Sequence, residues 1–555
     1  MPKRLEIVSV NCIVAIALVL RLWGIGFGLP YLYHFDEHFY INTALQLGAG
    51  VWNNPPYAAT GLSNLFFGEY ALFYVVGWLF GWFDSTAQFE TTYRSDPTAF
   101  YLLGRIAVVA LATTTVLVTY VLGSVVRSYK SGLLAALLLA VTLLHVRDSH
   151  YAVPDAVTPL FIVLAVTLAI RSLGEHRRRR RWRLVLAGVA GGLAIAVKWI
   201  ALPVVLPVCW ASFCRSKQLI DVSEGKKVQP LLLLAVAGLA LGFLLGSPQI
   251  LMNPAPYVRE AIGQYSAGQT GGFEFWQVDE ASGWLFYLNT LVYGLGPVFA
   301  ALAIVGGLRR LARVIRTREC ISWLLILFPG IYYLLMGSTR HYFARYALPL
   351  TPFMALFAAE VIVVTAEWLK NKKGAGLSWV IFGVITAATV AQPLANSLRH
   401  DMLLTRTDTR MLAKRWIERN IPAGARIALD WPTHGPPLST PDRSVPVSDR
   451  VYDVTTIGGA GLSEHSVDWY REQGFEYLIA SSFIYQIPLL SPEQDQQRKA
   501  FYASLGRDLT EVQVIYPTSD GSEPNFIFDE IYGPVISLWQ RERPGPTLRI
   551  YQLRP

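Results

Sequence analysis

One apolar stretch decides the fold: residues 98–126 read TAFYLLGRIAVVALATTTVLVTYVLGSVV, and Arg105 is their one charged residue. A helix of these 29 residues, at a rise of about 1.5 Å per residue, exceeds the roughly 30 Å hydrocarbon core of a bilayer. The stretch therefore predicts a transmembrane helix.

The composition extends this prediction to most of the chain. Of 555 residues, 53% are hydrophobic and 16% are charged, and the mean hydropathy is +0.36. A soluble domain is about 45–50% apolar and about 25% charged, so a wholly soluble protein and a disordered chain are excluded. Four cysteines in this length exclude a disulfide scaffold.

Eleven apolar stretches predict membrane spans. They cover residues 7–27, 98–126, 131–147, 156–172, 184–199, 200–214, 229–247, 284–307, 320–337, 347–368 and 377–396. The predicted fold class is an all-α polytopic membrane protein with about 11 transmembrane helices and a C-terminal α/β domain.

The distribution of positive charge predicts the topology. If the further apolar stretch 65–83 does not cross and the N-terminus is cytoplasmic, the inner segments hold 23 Lys and Arg residues and the outer loops hold six. A crossing 65–83 would place the run Arg177–Arg181 outside, against the positive-inside rule. We therefore predict that 65–83 is interfacial or re-entrant on the outer side, and that the arginine run anchors the topology rather than binding nucleic acid.

The segment 397–555 differs in composition from the rest. Its net charge is −3, against +12 for residues 1–396, and no apolar run in it is long enough to span. Eleven spans from a cytoplasmic start place it outside the membrane. We predict a transmembrane domain at 1–396 and an extracytoplasmic α/β domain at 397–555, with a helix at 408–420, strands near 425–430, 476–482, 511–516 and 547–553, and a helix opened by a capping box at 491–494.

Charged side chains beside the outer membrane face are the candidate functional residues, because such positions are costly for a charge. The first outer loop contains HFDEHFY, with His34, Asp36, Glu37 and His38. A carboxylate placed here can take a proton from a hydroxyl group. The alternative is a helix cap, in which Asp36 favours the N-terminus of an interfacial helix.

The loop before the fourth span contains HVRDSHYAVPD at 145–155. Asp148 and Asp155 lie there with His145 and His150, a set that suggests a metal site. The spacing fits no strong motif, and ordinary polar loop residues explain it equally well. We predict no bound cofactor or metal, with a divalent ion as the less favoured alternative.

Three cations lie at the same membrane face. Arg105 is inside the second span, Lys198 is at the outer end of the fifth, and Arg345 precedes the tenth beside Tyr346. Such cations suit a lipid phosphate, although each alone is also explained as an interfacial anchor.

With these residues placed, the chain resembles the GT-C membrane glycosyltransferases of the protein O-mannosyltransferase and aminoarabinose lipid A transferase type, glycosyltransferase family 39 and its relatives. The similarity spans about residues 5–370. Its segments are FDEHFY at 35–40, LLGRIAVVALATTTVLVTYVLG at 102–123, AVKWIAL at 196–202, HVRDSHYAVPDA at 145–156 and FARYALPLTPF at 343–353.

The resemblance implies transfer of a sugar, a hexose or a pentose, from a polyprenyl phosphate to an acceptor hydroxyl at the outer face of a bacterial-type inner membrane. The acceptor would be a glycan, a lipid or a protein, and we expect inversion at the anomeric carbon. Asp36 matches the first-loop acidic residue, the presumed base. Asp155 best matches the second-loop acidic residue, and Glu37 is the third catalytic candidate.

One departure from the family bears on the donor. Related enzymes often carry a lysine near the donor phosphate in the first loop, where this chain has LFFGEYALFY with Glu69. The phosphate role then passes to Arg105, Lys198 or Arg345. Candidate acceptor or loop contacts are His34, His38, Asp148, His150, Glu69 and Tyr346.

A non-catalytic transporter, or an assembly subunit of a glycan or lipid export system, is the alternative function. Transporter sites lie near the bilayer midplane, whereas the charges of this chain cluster at one face. The enzyme is therefore the favoured interpretation.

Overall fold

A computed structural model describes residues 3–52, 59–174, 176–215, 218–219, 225–270, 282–340, 342–431, 433–439, 450–490 and 495–553. The part before residue 405 is helical, as its long apolar stretches predict. Its helices are α1 (Lys3–Leu22), α2 (Glu37–Gly48), α3 (Gly61–Leu79), α4 (Thr86–Ser95), α5 (Thr98–Val126), α6 (Tyr129–Ala140), α7 (Leu143–Asp148), α8 (Thr158–Ser172), α9 (Arg177–Val197), α10 (Val205–Trp210), α11 (Gly225–Gly246), α12 (Ala255–Thr270), α13 (Gly283–Leu295), α14 (Pro297–Thr317), α15 (Cys320–Gly337), α16 (Thr351–Lys373) and α17 (Ala375–Leu404).

Among the described residues, seven helical stretches are long and apolar enough to cross a membrane, and three shorter apolar helices accompany them. This result confirms a membrane protein of mainly helical fold. The count of eleven spans stays a prediction.

Three predicted spans are not single α-helices. Residues 131–147 divide into α6 and α7, and residues 284–307 divide into α13 and α14 at Gly296, whose φ of 83° suits glycine. Pro297 then takes the first helical position, where its missing N–H costs nothing. Residues 200–214 form short 3₁₀ and α turns around two prolines, Pro203 and Pro207.

Helix α3 contacts the outer ends of several helices in turn. Asn64 donates to the carbonyl of Gly246 at the end of α11 (2.7 Å), and the Tyr70 hydroxyl donates to the carbonyl of Phe100 at the start of α5 (3.0 Å). Gly61 lies so close to Ala196 in α9 that an added Cβ would be 2.9 Å from its backbone. A helix that crossed the membrane would instead follow one neighbour through successive turns. The contacts therefore favour the interfacial prediction for this segment.

Glycines bring α9 and α11 into close contact. A Cβ at Gly188 would lie 2.4 Å from the carbonyl oxygen of Ala235, and one at Gly242 would lie 2.1 Å from that of Val189. Small residues let two helix backbones approach closely within a membrane. This packing fixes the outer end of α9, where Lys198 follows.

The C-terminal part is α/β, as predicted. It contains α18 (Thr409–Asn420), α19 (Val467–Glu472), α20 (Ser482–Tyr485), α21 (Ile487–Leu490) and α22 (Gln496–Asp508). Two short strands in the membrane part are β1 (Cys214–Arg215) and β2 (Gln218–Leu219), and the C-terminal strands are β3 (Arg426–Asp430), β4 (Asp453–Ile457), β5 (Tyr477–Ser481), β6 (Thr510–Ile515) and β7 (Leu548–Gln552).

The five C-terminal strands form one sheet in the order β4-β3-β5-β7-β6. Strand β3 pairs in parallel with β4 and β5, and β7 pairs antiparallel with β5 and β6. The sequence missed β4, an edge strand with few buried residues. The predicted capping box at 491–494 lies outside the described residues.

One disulfide joins Cys214 to Cys320, with a Cα–Cα separation of 6.0 Å. The charge distribution places both residues at the inner side of the bundle. The pair therefore does not alter the expectation that the exported part has no disulfide framework.

Candidate active site

Two carboxylates and two cations alternate at the outer side of the helical bundle. Arg345 donates from Nη1 to Asp36 Oδ2 at 2.7 Å, and its Nε lies 3.9 Å from Asp155 Oδ1. Lys198 donates from Nζ to the same Asp155 oxygen at 2.5 Å. We call Asp36, Arg345, Asp155 and Lys198 the charge network. Their side chains are between 4% and 16% exposed.

Each member of the charge network lies where a helix begins or ends. Asp36 precedes α2, and Asp155 lies in the turn before α8. Lys198 follows α9 with an extended backbone, and Arg345 opens the 3₁₀ helix Ala344–Leu350. Such positions direct polar side chains away from the apolar bundle toward its outer surface.

The helix-cap interpretation of Asp36 is not supported. Asp36 occupies the N-cap position of α2, but its side chain makes no cap hydrogen bond. The carboxylate pairs with Arg345 instead. A hydrogen bond between two ionised groups is stronger than a bond to a backbone amide.

Aromatic rings flank the two cations. The Lys198 ammonium lies 4.6 Å from the ring centre of Tyr346, and the Arg345 guanidinium lies 4.5 Å from that of Phe343. Cation–π contacts at this range are favourable, more so when water is excluded. Tyr346, predicted as a loop contact, thus belongs to the site.

Glu37 and Arg105 form a separate buried pair. The guanidinium donates through Nε and Nη2 to both carboxylate oxygens, each at 2.7 Å, and through Nη1 to the carbonyls of Ile25 and Phe27. Glu37 also accepts from the backbone of Ala152. Both side chains are at most 1% exposed. The pair therefore links α5 to the first two outer loops, and this geometry corrects the predicted catalytic role of Glu37 and phosphate role of Arg105.

Asp148 belongs to a second buried cluster. It pairs with Arg147 at 2.9 Å, and Arg147 also reaches Asp529 of the C-terminal part at 2.8 Å. Burial raises the pKa of Asp148 to about 6 and also raises the pKa of Asp529. Asp148 therefore links the two parts of the chain rather than facing the charge network directly.

The predicted histidines lie at different places. His34 is buried beside Tyr151, with ring centres 4.3 Å apart, and its Nδ1 accepts from the backbone N–H of Asp36 at 3.2 Å. Burial lowers the pKa of His34, so its ring is neutral and can accept this bond. His38 packs on Phe39.

Two predicted contacts lie elsewhere. His150 faces His400 and Asp401, away from Asp36. Glu69 lies on α3, and its Oε2 has no hydrogen-bond partner among the described residues. Neither side chain is brought into the charge network.

Residues of the C-terminal part cover the site. Phe35, next to Asp36, lies 5.1 Å from Trp431 between ring centres. Phe343 and Tyr346, on either side of Arg345, pack in one hydrophobic cluster with Phe483. The sequence gave no signal for this cover, because these residues come from distant segments with no shared motif.

The sequence also missed the partners Asp529, His400 and Asp401. Asp529 lies in a segment without a recognisable pattern. His400 and Asp401 did carry a signal, because two adjacent ionisable residues continue the apolar helix α17 beyond its predicted end.

A family model described as Dolichyl-phosphate-mannose-protein mannosyltransferase matches residues 70–245. The match contains Asp155 and Lys198 but neither Asp36 nor Arg345, and it covers less than half of the chain. No curated protein matches the chain.

Solved structures with similar folds come from archaea and bacteria. The Archaeoglobus fulgidus oligosaccharyltransferase in its apo form has 12% identity and a TM-score of 0.55, covering 93% of this chain and 74% of its own. The oligosaccharyltransferase AglB from the same organism, in complex with an inhibitory peptide and a dolichol-phosphate, has 12% identity and a TM-score of 0.54, covering 89% and 72%. ArnT from Cupriavidus metallidurans bound to undecaprenyl phosphate has 13% identity and a TM-score of 0.47, covering 88% and 94%.

These matches show the fold. The chain has the GT-C fold of membrane glycosyltransferases, with a C-terminal part that contains a small sheet. The resemblance drawn from the sequence segments is confirmed at this level.

Proposed function

We propose that the chain is an inverting glycosyltransferase that moves a sugar from a polyprenyl phosphate to an acceptor hydroxyl at the outer face of the membrane. The observation that carries the proposal is the charge network, in which one partly exposed carboxylate lies beside two cations in a GT-C fold. The AglB structure with a dolichol-phosphate supports a donor of this chemical class.

Asp36 is the proposed general base. Arg345 holds its Oδ2, whereas no described residue donates to Oδ1. The oxygen of the acceptor hydroxyl attacks the anomeric carbon and forms the new glycosidic bond, while its proton passes to Oδ1. The bond between that carbon and the phosphate oxygen breaks, and the polyprenyl phosphate leaves with the electron pair. A base at hydrogen-bond distance contributes about 10²–10⁴-fold to such a step.

Arg345 and Lys198 are the proposed phosphate ligands. The leaving phosphate gains negative charge as the bond breaks, so cations held against it stabilise the transition state more than the bound substrate. Arg345 offers a planar fork that matches phosphate oxygens. Tyr346 and Phe343 hold the two cations at a fixed distance from each other.

Asp155 is the proposed positioning residue of the network. It accepts from Lys198 and lies 3.9 Å from Arg345, so it spaces the two cations and reduces their mutual repulsion. Because Asp155 is occupied by a cation, it is a poor nucleophile. This favours a single displacement, which inverts the configuration at the anomeric carbon.

The proposed cellular setting follows from the topology. We place the protein in a bacterial-type inner membrane through eleven spans, with the N-terminus in the cytoplasm and the site with its C-terminal cover outside. A lipid-linked donor would then enter from the outer leaflet, and a glycan, lipid or protein acceptor from the outer compartment. The proposed enzyme class covers hexosyl and pentosyl transfer.

A deletion strain tests the proposed function. Mass spectrometry of its envelope glycans and glycolipids should show the loss of one glycosylated species. The wild-type gene and the control Asp84→Asn, an exposed outer-loop carboxylate, should restore that species, and Asp36→Asn should not. An unchanged glycan and glycolipid profile in the deletion strain would contradict the proposal.

A further inference from the structure

Three ionisable side chains meet below the cover, outside the charge network. His400 and Asp401 lie in the last turn of α17, and His150 follows α7. Asp401 Oδ1 lies 3.2 Å from His400 Nδ1 and 3.5 Å from His150 Nε2. All three residues are at most 1% exposed.

The hydrogen bonding of Asp401 and His400 is incomplete. The Asp401 Oδ2 atom and the His400 Nε2 atom are buried and have no partner among the described residues. A buried polar atom without a partner costs about 1–3 kcal/mol, and more if it is charged. Such a group needs an explanation, and an unseen ion is one of the usual ones.

His150 adds a second anomaly. Its Nδ1 lies 2.8 Å from the carbonyl of Val146, and its Nε2 lies 3.1 Å from the carbonyl of Trp23 as well as near Asp401. A neutral imidazole carries one proton, so one of its nitrogens then faces only oxygen acceptors. A cation placed at Nε2 removes this conflict, because Nδ1–H can donate to Val146 while Nε2 acts as a ligand.

We propose that His150, His400 and Asp401 bind one transition-metal ion of the Zn²⁺ class. Two imidazoles and one carboxylate are a usual ligand set for zinc. The candidate ligand atoms lie within 4.8 Å of one another. Zinc–ligand distances of about 2.0–2.2 Å require these atoms to draw inward around the ion. The remaining position would be taken by water or by the Trp23 carbonyl.

The second-shell bond fits this assignment. A zinc-bound histidine usually donates its other ring N–H to a carbonyl or a carboxylate, which fixes the ring orientation. The bond from His150 Nδ1 to Val146 has this form. His150 is therefore oriented as a metal ligand would be.

The ion would join three separate segments. Trp23 follows α1, His150 lies in the loop that carries Asp148 and Asp155, and His400 is near Gly533 of the C-terminal part, 3.9 Å from where a Cβ of that glycine would be. The site is thus a structural staple that holds the Asp155 loop, and it stands independently of the proposed transferase activity.

Metal binding to the purified full chain tests this proposal. After removal of any histidine tag and of bound metal by a chelator, the chain is titrated with Co²⁺. We expect one equivalent to bind with the visible absorption of a four-coordinate site, and Zn²⁺ to displace it. His400→Ala and Asp401→Asn should weaken binding at least tenfold, whereas the control His465→Ala, a histidine stacked on Trp469 in the C-terminal part, should bind as the wild type does.

A thermal measurement keeps the test valid if a variant does not fold. Zn²⁺ should raise the melting temperature of the chelated wild type, and Mg²⁺ at the same concentration should not. Absence of one-to-one Co²⁺ uptake by the wild type would overturn the proposal and favour a protonated His150 paired with Asp401. Equal binding by wild type and His400→Ala would also overturn it.

Discussion

At the residue scale, the function depends on how each carboxylate is paired. Adjacent residues Asp36 and Glu37 differ completely: Glu37 is buried and held by Arg105 at both oxygens, whereas Asp36 gives one oxygen to Arg345. Successive residues at a helix start point about 100° apart, so only one of them faces the outer surface. This geometry separates the proposed base from the structural carboxylate.

The pair Arg345 and Asp36 gives the first prediction. Arg345→Lys should lower turnover at saturating donor by at least about tenfold, equivalent to about 1.4 kcal/mol of transition-state stabilisation. The reason is that a lysine cannot contact a phosphate through two parallel N–H groups. The control is Arg340→Lys at an exposed arginine, and unchanged turnover in Arg345→Lys would remove Arg345 from the site.

Glu37 gives the second prediction, which concerns stability. Glu37→Gln leaves the buried Arg105 guanidinium without its counter-charge and should destabilise the fold by about 3–5 kcal/mol. Glu90→Gln breaks an exposed pair with Arg94, both more than 60% exposed, and should cost about 0–1 kcal/mol. Thermal unfolding in detergent measures both. Equal melting temperatures would mean that the Glu37 pair does not stabilise the fold.

At the scale of elements, the sequence predicted α5 with its bounds, because 29 apolar residues without a break allow one structure. It could not predict that 284–307 divides at Gly296, since a glycine within an apolar run is compatible with a helix. Whether it breaks depends on the tertiary packing. Likewise Asp36, Asp155, Lys198 and Arg345 were predicted as separate candidates, but their ion pairs depend on how four loops meet.

The orientation of α3 gives the third prediction. If α3 lies on the outer face, a cysteine in place of Asp84 should react with a membrane-impermeant maleimide from outside intact cells. A cysteine in place of Lys130 should react only after the membrane is opened. A crossing α3 would reverse both results. The parent chain, with free Cys12 and Cys209, provides the background reading.

At the scale of the whole molecule, the C-terminal part is tied to the membrane part by buried charge. Arg147 lies between Asp148 and Asp529, and all three are at most 1% exposed. One cation beside two carboxylates leaves an uncompensated negative charge if both are ionised. A proton on one carboxylate removes that cost, which is why burial raises the pKa values there.

This cluster gives the fourth prediction. The pKa of Asp148 rises from 3.8 to about 6 on folding, so the protonated carboxyl stabilises the folded state. The contribution is complete below the unfolded pKa and is lost as the pH rises through about 6. The melting temperature should therefore fall more between pH 4.5 and pH 7, on the order of a few degrees, in the wild type than in Asp148→Asn.

The control for the pH measurement is Asp468→Asn, an exposed carboxylate that is 80% accessible. Its melting temperature should follow that of the wild type at each pH. Parallel curves for wild type and Asp148→Asn would show that Asp148 does not titrate in this range.

The release of polyprenyl phosphate by the purified protein tests the central claim most directly. The protein is incubated with the polyprenyl-phosphate sugar and the acceptor that the deletion strain identifies, and the released lipid phosphate is measured over time. We predict that the wild type and Asp84→Asn release it at equal rates, and that Asp36→Asn, with the same melting temperature, is at least about 100-fold slower. A correctly folded Asp36→Asn variant that keeps the wild-type rate would contradict the account.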